Sequence, residues 1–439
     1  MDKELILKYI QRDENERKRR ERLYAYYRGK HDILNRQMKD TSKPNNRLAN
    51  GYPYLITNAY TGYLFGEPVA YSTPDEVLQS NINDAFKYND EQAENSMLGL
   101  DLSICGTAIE IHYVDGDALE RFKRVDPVGC IAVRDSGIEG DLLALIRYYD
   151  IDDVEHNRSI RVVEVLDKNV WEKYELETGG LRLVSQAMHG YGDVPAVVYR
   201  NNPDSMGDFE GQISLIDAYD LMQSEAINDQ EYFTDAYLCL KGLMGTTNED
   251  IADMKTSRVL LLPSTDSDAG FLTKQQNDAV SENIKNRLNN DIHRFSGCPD
   301  MTDESFAGNA SGVAIKYKLL QFENIAAVKE REFKRGLQRR IELLCNIWGT
   351  LSRGSFDWRQ VQITFKRALP ENLLELSQAL SNFAGILSDE TKRSMIPLDI
   401  DEETEKARLE EQTQLGLSLF TYNELKTGDL TEEVIVNAE

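Results

Sequence analysis

Residues 312–349 read GVAIKYKLLQFENIAAVKEREFKRGLQRRIELLCNIWG. Leu319, Phe322, Ala326, Phe333, Leu337, Ile341, Leu344 and Trp348 fall at steps of three, four and seven, which puts them on one face of an α-helix, and no proline interrupts the run. At 1.5 Å per residue the stretch would span about 57 Å, more than the diameter of a small domain. The spacing therefore predicts an architectural helix. Residues 316–340 within it carry eight bases and three acids.

Upstream of this helix, residues 300–311 (DMTDESFAGNAS) have no hydrophobic period and read as a loop. Before the loop, Val280, Ile284, Leu288, Ile292 and Phe295 mark a helix that Gly297-Cys298-Pro299 ends. Residues 237–278 are mixed, with strand-like runs at Tyr237–Leu240 and Arg258–Leu262. Between 212 and 235, Ile213, Ile216, Tyr219, Met222, Ala226 and Phe233 predict another helix with one apolar stripe. Residues 201–240 hold nine acids and no Lys or Arg, opposite in sign to 316–340. Ala108–Val114, Leu142–Tyr149, Arg161–Leu166, Val170–Tyr174 and Ala196–Arg200 read as strands of a mostly antiparallel sheet. Residues 3–28 predict a helix, in which the bases from Arg17 to Arg22 alternate with Glu14, Glu16 and Glu21 as on a solvated face. Downstream, Val361–Phe365 is strand-like. From Asp399 onward, twelve acids and three bases predict a solvated or partly disordered end.

The totals bound the class. A chain of 439 residues is long enough for two or more packed units. No run approaches a membrane span, and the charged N-terminal stretch is unlike a signal peptide, so the expected site of synthesis is the cytoplasm. Cys105, Cys130, Cys239, Cys298 and Cys345 are scattered without a CxxC pair, as buried reduced thiols would be. There is no HExxH and no GxSxG, and Gly29-Lys30 is followed by His31 without a phosphate loop. Asp300, Asp303 and Glu304 are the kind of carboxylate cluster that holds Mg²⁺, but among 75 acids such clusters arise by chance. The motifs thus point to no enzyme, cofactor or metal. A net charge of −25 lacks the basic footprint of a protein that grips DNA, so any contact with DNA is expected to be loose.

Asn46–Tyr71, NRLANGYPYLITNAYTGYLFGEPVAY, resembles the N-terminal signature of the portal family typified by siphophages of Gram-positive bacteria, and YLFGEPV is its most specific piece. Read by its residues alone, the end of this stretch is a buried aromatic turn, with Gly66 allowing a tight backbone and Pro68 stiffening the exit. Further segments agree in order. They are Ser103-Ile104-Cys105-Gly106-Thr107-Ala108 with Val125-Asp126-Pro127, then Val194-Pro195 leading to Asn201-Asn202. Gly207-Asp208-Phe209-Glu210 and Leu215–Tyr219 follow, then Asn309–Lys316, Leu369-Pro370-Glu371-Asn372 and Ile386–Thr391.

The resemblance implies an α+β portal fold and a dodecameric homo-oligomeric ring around a channel for double-stranded DNA. It implies an arm and wing over 1–206, stem helices at 207–236 and 279–296, and a clip at 237–278. A tunnel loop at 297–310, a long helix at 311–350, straight or kinked, a wing return strand at 351–368 and a crown at 369–439 complete it. It further implies a virion protein at the capsid portal vertex. Its partners would be the large terminase, a head-tail adaptor, and the major capsid and scaffolding proteins.

On this map Asp300, Met301, Thr302, Asp303, Glu304, Ser305, Phe306 and Asn309 are the candidates to line the DNA channel, where acids would repel the duplex and keep it centred. Glu249, Asp250, Asp253, Lys255 and Arg258 are the docking candidates in the clip. Asp217, Asp220, Asp229 and Glu231 are expected to face Lys329, Arg331, Lys334 and Arg335 of a neighbouring subunit. The competing readings are a virion adaptor without a DNA channel and a metal-dependent DNA-processing enzyme.

Overall fold

Two units divide the chain, Met1–Ala368 and Leu369–Glu439. The computed structural model describes residues 1–40, 43–154, 157–234, 237–241, 268–272, 278–300, 317–368 and 373–383, with isolated positions at 247, 249, 256, 386, 388, 392, 407, 408, 411 and 412. Helices and antiparallel sheets alternate in an α+β arrangement.

In the first unit, α1 (Lys3–Tyr27) is followed by α2 (Tyr52–Phe65), β1 (Ala70–Ser72), α3 (Glu76–Asn89) and α4 (Glu91–Cys105). Asp75 caps α3 by accepting from the backbone N–H groups of Val77 and Leu78 at 3.0 Å. Strands β2 (Thr107–Val114), β3 (Glu120–Val125), β4 (Cys130–Arg134), β5 (Leu142–Asp153), β6 (Arg158–Asp167), β7 (Val170–Glu177), β8 (Gly180–Met188) and β9 (Ala196–Arg200) come next. They form a three-stranded sheet of order β3-β2-β9 and a five-stranded meander from β4 to β8. All five strands predicted between 108 and 200 are present. Of the run read as an aromatic turn, residues 63–65 end α2, residues 66–69 make the turn, and Ala70 and Tyr71 begin β1.

Then follow α5 (Ile213–Thr234), β10 (Tyr237–Lys241), β11 (Asp268–Leu272), α6 (Asp278–Ser296), α7 (Leu320–Thr350) and β12 (Gln362–Thr364). β10 pairs with β11, while β12 returns to pair antiparallel with β1. The predicted strand Arg258–Leu262 lies outside the described residues. Of the long helix expected over 312–349, residues 312–316 lie outside the described residues, Leu319 is a turn residue, and the helix from Leu320 spans 31 residues, about 46 Å. In the second unit, α8 (Leu373–Asn382) is the described helix.

α7 organises the first unit. Its Phe333, Leu337, Ile341, Leu344 and Trp348 join Leu78, Ile82 and Phe86 of α3, Leu98 and Leu102 of α4, and Phe122 and Tyr199 of the sheet in one core. Each such side chain contributes roughly 1.5–3 kcal/mol by burial. The approach to β9 is close. A Cβ on Gly336 would stand 2.2 Å from the Tyr199 ring, so only glycine lets the two meet.

At the centre of this core is a charged network. Arg340, with no exposed side-chain surface, gives Nη2 to Glu110 at 2.5 Å, Nη1 to Glu91 at 3.1 Å and Nη1 to Asn95 at 2.8 Å. His112 Nε2 lies 2.9 Å from Glu110, and the Tyr71 hydroxyl donates to Glu91. Burial alone would raise the Glu110 carboxyl, but Arg340 and then His112 outweigh it and hold it at about 2. The network locks α7 to α4 and β2.

Candidate functional site

The segment that leaves α6 and enters α7 has a well-defined base. Gly297 adopts φ +70, and a Cβ there would meet Ile325 Cδ1 at 2.5 Å and the Tyr60 hydroxyl at 3.1 Å. The Tyr60 hydroxyl donates to the Ser296 carbonyl at 2.9 Å, and His293 Nδ1 donates to the Cys298 carbonyl at 3.0 Å. Asn289 donates to Asp300 at 3.4 Å. On the other side, the Phe322 ring sits 4.4 Å from Tyr60 and 4.8 Å from Tyr63. Gln321 Nε2 donates to the Arg294 carbonyl at 3.1 Å, which joins the end of α6 directly to the start of α7. The end of α6 and the start of α7 are therefore held together beside Tyr60 and Tyr63 of α2.

Beneath this base lies a second buried charge. Lys329 Nζ stands 4.6 Å from the Tyr60 ring and pairs with Asp208. Burial lowers the Lys329 pKa and Asp208 opposes that. Asp208 also accepts from Ser103 Oγ at 2.5 Å and from Asn201 Nδ2 at 2.8 Å, while its backbone N–H donates to the Ser103 carbonyl at 2.8 Å. Glycines make that approach possible. A Cβ on Gly207 would lie 2.2 Å from the Ile104 carbonyl oxygen, and one on Gly106 (φ +83) 1.9 Å from that of Ser205.

The predicted site residues fall as follows. Asp300 is half-buried just beyond the end of α6, and Met301, Thr302, Asp303, Glu304, Ser305, Phe306 and Asn309 lie outside the described residues. Glu249 is exposed; Asp250, Asp253, Lys255 and Arg258 also lie outside them.

The acids of α5 are engaged with other parts of the same chain. The buried face of α5 is Ile216, Asp220, Ser224 and Asn228, three of them polar. The segment from His31 to Asn50 lies along that face. Asp220 accepts from His31 Nδ1 at 2.5 Å and from the Asn50 backbone and side-chain N–H groups at 2.8 and 2.7 Å. Ser224 accepts from the Leu48 N–H at 3.0 Å, and Asn228 from the Asn46 N–H at 2.7 Å. Glu231 accepts from Asn46 Nδ2 at 2.6 Å, Asp217 from the Tyr26 hydroxyl at 2.7 Å, and Asp229 is half-buried on the same helix.

Of the bases, Lys329 is enclosed with Asp208, Arg335 pairs with Glu332 at 2.9 Å, Arg331 donates to the Ala327 carbonyl at 3.3 Å, and Lys334 is half-buried. Asp220 and Lys329 thus form pairs inside the subunit. A buried charge needs its partner at hand. The sequence does carry a signal for Lys329 and Arg340, because both interrupt the apolar face of α7 at helical spacing, Lys329 between Ala326 and Phe333 and Arg340 between Leu337 and Leu344.

The family model for phage portal proteins of the SPP1 Gp6-like type matches residues 6–416. The chain belongs to this family. The portal protein of Clostridium phage phiCD119 is 25% identical over 442 residues, covering 94% of this chain and 96% of that one. The portal protein of Bacillus phage SPP1 is 24% identical over 427 residues, covering 92% and 82%. Membership accounts for the signature segments, and the geometry gives their physical purpose. Tyr60 and Tyr63 of Asn46–Tyr71 pack on Phe322 at the loop base. Asn201, Gly207 and Asp208 build the pocket that receives Lys329. Among the described residues no helix is long and apolar enough to cross a membrane, and portal proteins are virion components.

Proposed function

We propose that copies of this chain form a dodecameric portal ring at a capsid vertex, with residues 300–310 facing double-stranded DNA as it is packaged and ejected. In this reading Met1 to about 206 is the arm and wing, α5 and α6 are the stem, and residues 237–278 are the clip that docks the large terminase and later the head-tail adaptor. Residues from 369 form the crown. The observation that carries the reading is the double anchorage of the loop. The Tyr60 hydroxyl holds the end of α6 and its ring holds Phe322 of α7, so a loop acting on a moving duplex has a fixed support. Asp303 and Glu304 then present negative charge with no base between them and repel phosphate.

The test is packaging by virions carrying D303K/E304K, with D303N/E304Q as control. Lysines in contact with phosphate should slow packaging several-fold at about 50 mM salt and less at about 200 mM, since that affinity falls steeply with salt. The neutral control should package at nearly the native rate. Equal rates for native and lysine variants at low salt refute a DNA-facing loop.

A further inference from the structure

Residues 43–50, on the way from α1 to α2, run along α5 as a strap, and hydrogen bonds in register hold them there. Asn228, Ser224 and Asp220, one turn apart on the helix, accept from the backbone N–H groups of Asn46, Leu48 and Asn50 at 2.7, 3.0 and 2.8 Å. The spacings agree, since four helical residues rise about 6 Å and two extended residues about 6.6 Å. All three acceptors are buried and polar. Leu48 is 39% exposed, so it gives this seam little apolar burial.

The two ends of the seam differ. At one end, Asn228 Nδ2, Asn45 Oδ1 and Arg36 Nη1 are buried without a hydrogen-bond partner among the described residues. They belong to one neighbourhood: Arg36 pairs with Glu225 of α5, the Arg36 carbonyl accepts from Asn45 Nδ2 at 3.3 Å, and Asn46 bonds Asn228. A buried donor or acceptor left unmade costs at least what a made hydrogen bond returns net. The bonds of Asn46 and Leu48 are therefore offset by the orphaned atoms beside them. At the other end, Asp220 has no exposed surface. It takes the Asn50 backbone and side-chain N–H groups and His31 Nδ1, and His31 stacks on Tyr26 at 4.6 Å. Bonds to a buried carboxylate are strong, and stripping it of donors is costly.

We propose that residues 43–49 are a releasable strap that lifts from α5 in the folded subunit, hinged where Asn50 and His31 meet Asp220. Lifting uncovers Ser224 and Asn228, whose lone pairs water satisfies as the strap does, and it hydrates the three orphaned atoms. Parting α7 from α3 and β9 would instead expose the apolar core. The seam is the first of the two to open. Once it has opened, α5 is free on that face to shift against the strap without unfolding. The motion belongs to a single subunit and does not depend on ring assembly.

Amide hydrogen exchange of the unsubstituted chain tests this, resolved to single residues by fragmentation in the mass spectrometer, at denaturant concentrations below the unfolding transition. The Asn46 and Leu48 N–H groups should exchange roughly 100-fold faster than those of Leu337 and Ile341 in α7, as a local opening allows. Their rates should hardly change with denaturant, because little surface is exposed. The Asn50 N–H should be better protected than that of Leu48. Protection at Leu48 equal to that of α7, with the same steep denaturant dependence, refutes the strap, since the seam then opens only when the whole unit does. Exchange of Asn46 and Leu48 at free-peptide rates refutes it too, because the closed seam would not exist. Asn50 exchanging as fast as Leu48 removes the hinge. A second measurement uses Ser224→Cys, which puts a thiol at a fully buried position beneath the strap, with the native Cys345 of α7 as reference in the same molecule. Thiol labelling, located by peptide mapping, should reach residue 224 roughly 100-fold sooner than Cys345. Equal labelling rates overturn the proposal even if the substitution loosens the seam, because loosening can only speed residue 224.

Discussion

Replacing Arg340 with leucine would leave two carboxylates, Glu110 and Glu91, in the core of the first unit without their guanidinium. Glu110 is fully buried and Glu91 nearly so, and no solvent reaches them to compensate. Breaking a buried pair by removing one partner costs about 3–5 kcal/mol. The Glu110 shift gives an independent figure. Its carboxyl falls from 4.5 to about 2 on folding, worth about 3 kcal/mol.

Because the folded value is depressed, that contribution is complete above about pH 4.5 and is lost as pH falls toward 2. In Arg340→Leu, burial is opposed by His112 and the Tyr199 hydroxyl without the guanidinium, and the Glu110 carboxyl rises. Glu91, which burial already pushes up, rises further. The variant should therefore be most handicapped at pH 7 and recover part of its deficit at pH 5, where the carboxyls take up protons. Thermal melts of native and variant protein at pH 7, 6 and 5, at one protein concentration because assembly shifts melting, would measure this. A loss of roughly 5–10 °C at pH 7 that narrows on acidification is expected. A deficit below about 1 kcal/mol, or one that widens toward pH 5, would refute the assignment of Glu110 as the carboxylate that Arg340 holds ionised.

Lys329→Met should cost about 3–5 kcal/mol in denaturant unfolding, because Asp208 keeps Ser103 and Asn201 but loses its counter-charge. Adding Asp208→Asn should recover most of that loss, since a neutral amide needs no ammonium. Gly207→Ala should cost about 3 kcal/mol in the same assay, because its Cβ would stand 2.2 Å from the Ile104 carbonyl oxygen and push Asp208 off Ser103. Gly211→Ala, where nothing lies within 4 Å, is the control and should be nearly neutral.

What could be read from the sequence follows from which residues obey a simple period. The Val- and Ile-rich strands from 108 to 200 were visible because one face of each packs on an apolar layer. β3 was not, since ERFKRV carries four charges, yet Arg124 pairs with the buried Asp101 at 2.5 Å and Glu120 accepts from Trp348 Nε1 at 2.8 Å. α4 was hidden for the same reason, because it buries Glu91, Glu94, Asn95 and Asp101 among its leucines. α3 keeps a plain helical period in Leu78, Ile82, Ala85 and Phe86 and was open to the same reading that found α1. The family signature located the loop base without revealing how it works, because the contacts of Tyr60 with Ser296 and Phe322 join segments more than 230 residues apart. No local pattern encodes such a pairing.

The acidity of the chain also divides once the partners are known. The acids of 201–240 suggested a surface that meets a basic neighbour; within the chain, Asp217, Asp220 and Glu231 accept hydrogen bonds from the segment between Tyr26 and Asn50, and Asp208 holds Lys329. A carboxylate committed to backbone N–H groups has little field left for a passing duplex, since its charge is locally answered and partly buried. In the proposed reading, repulsion within the channel falls to the acids of 300–310. Among them Asp300 accepts from Asn289 beside α6, while Asp303 and Glu304, which lie outside the described residues, are the acids that the proposed reading turns toward DNA. Neutralising Asp300 should accordingly disturb packaging less than reversing the charge of the other two, and the opposite ranking would place the repulsive surface at the base of the loop instead of beyond it.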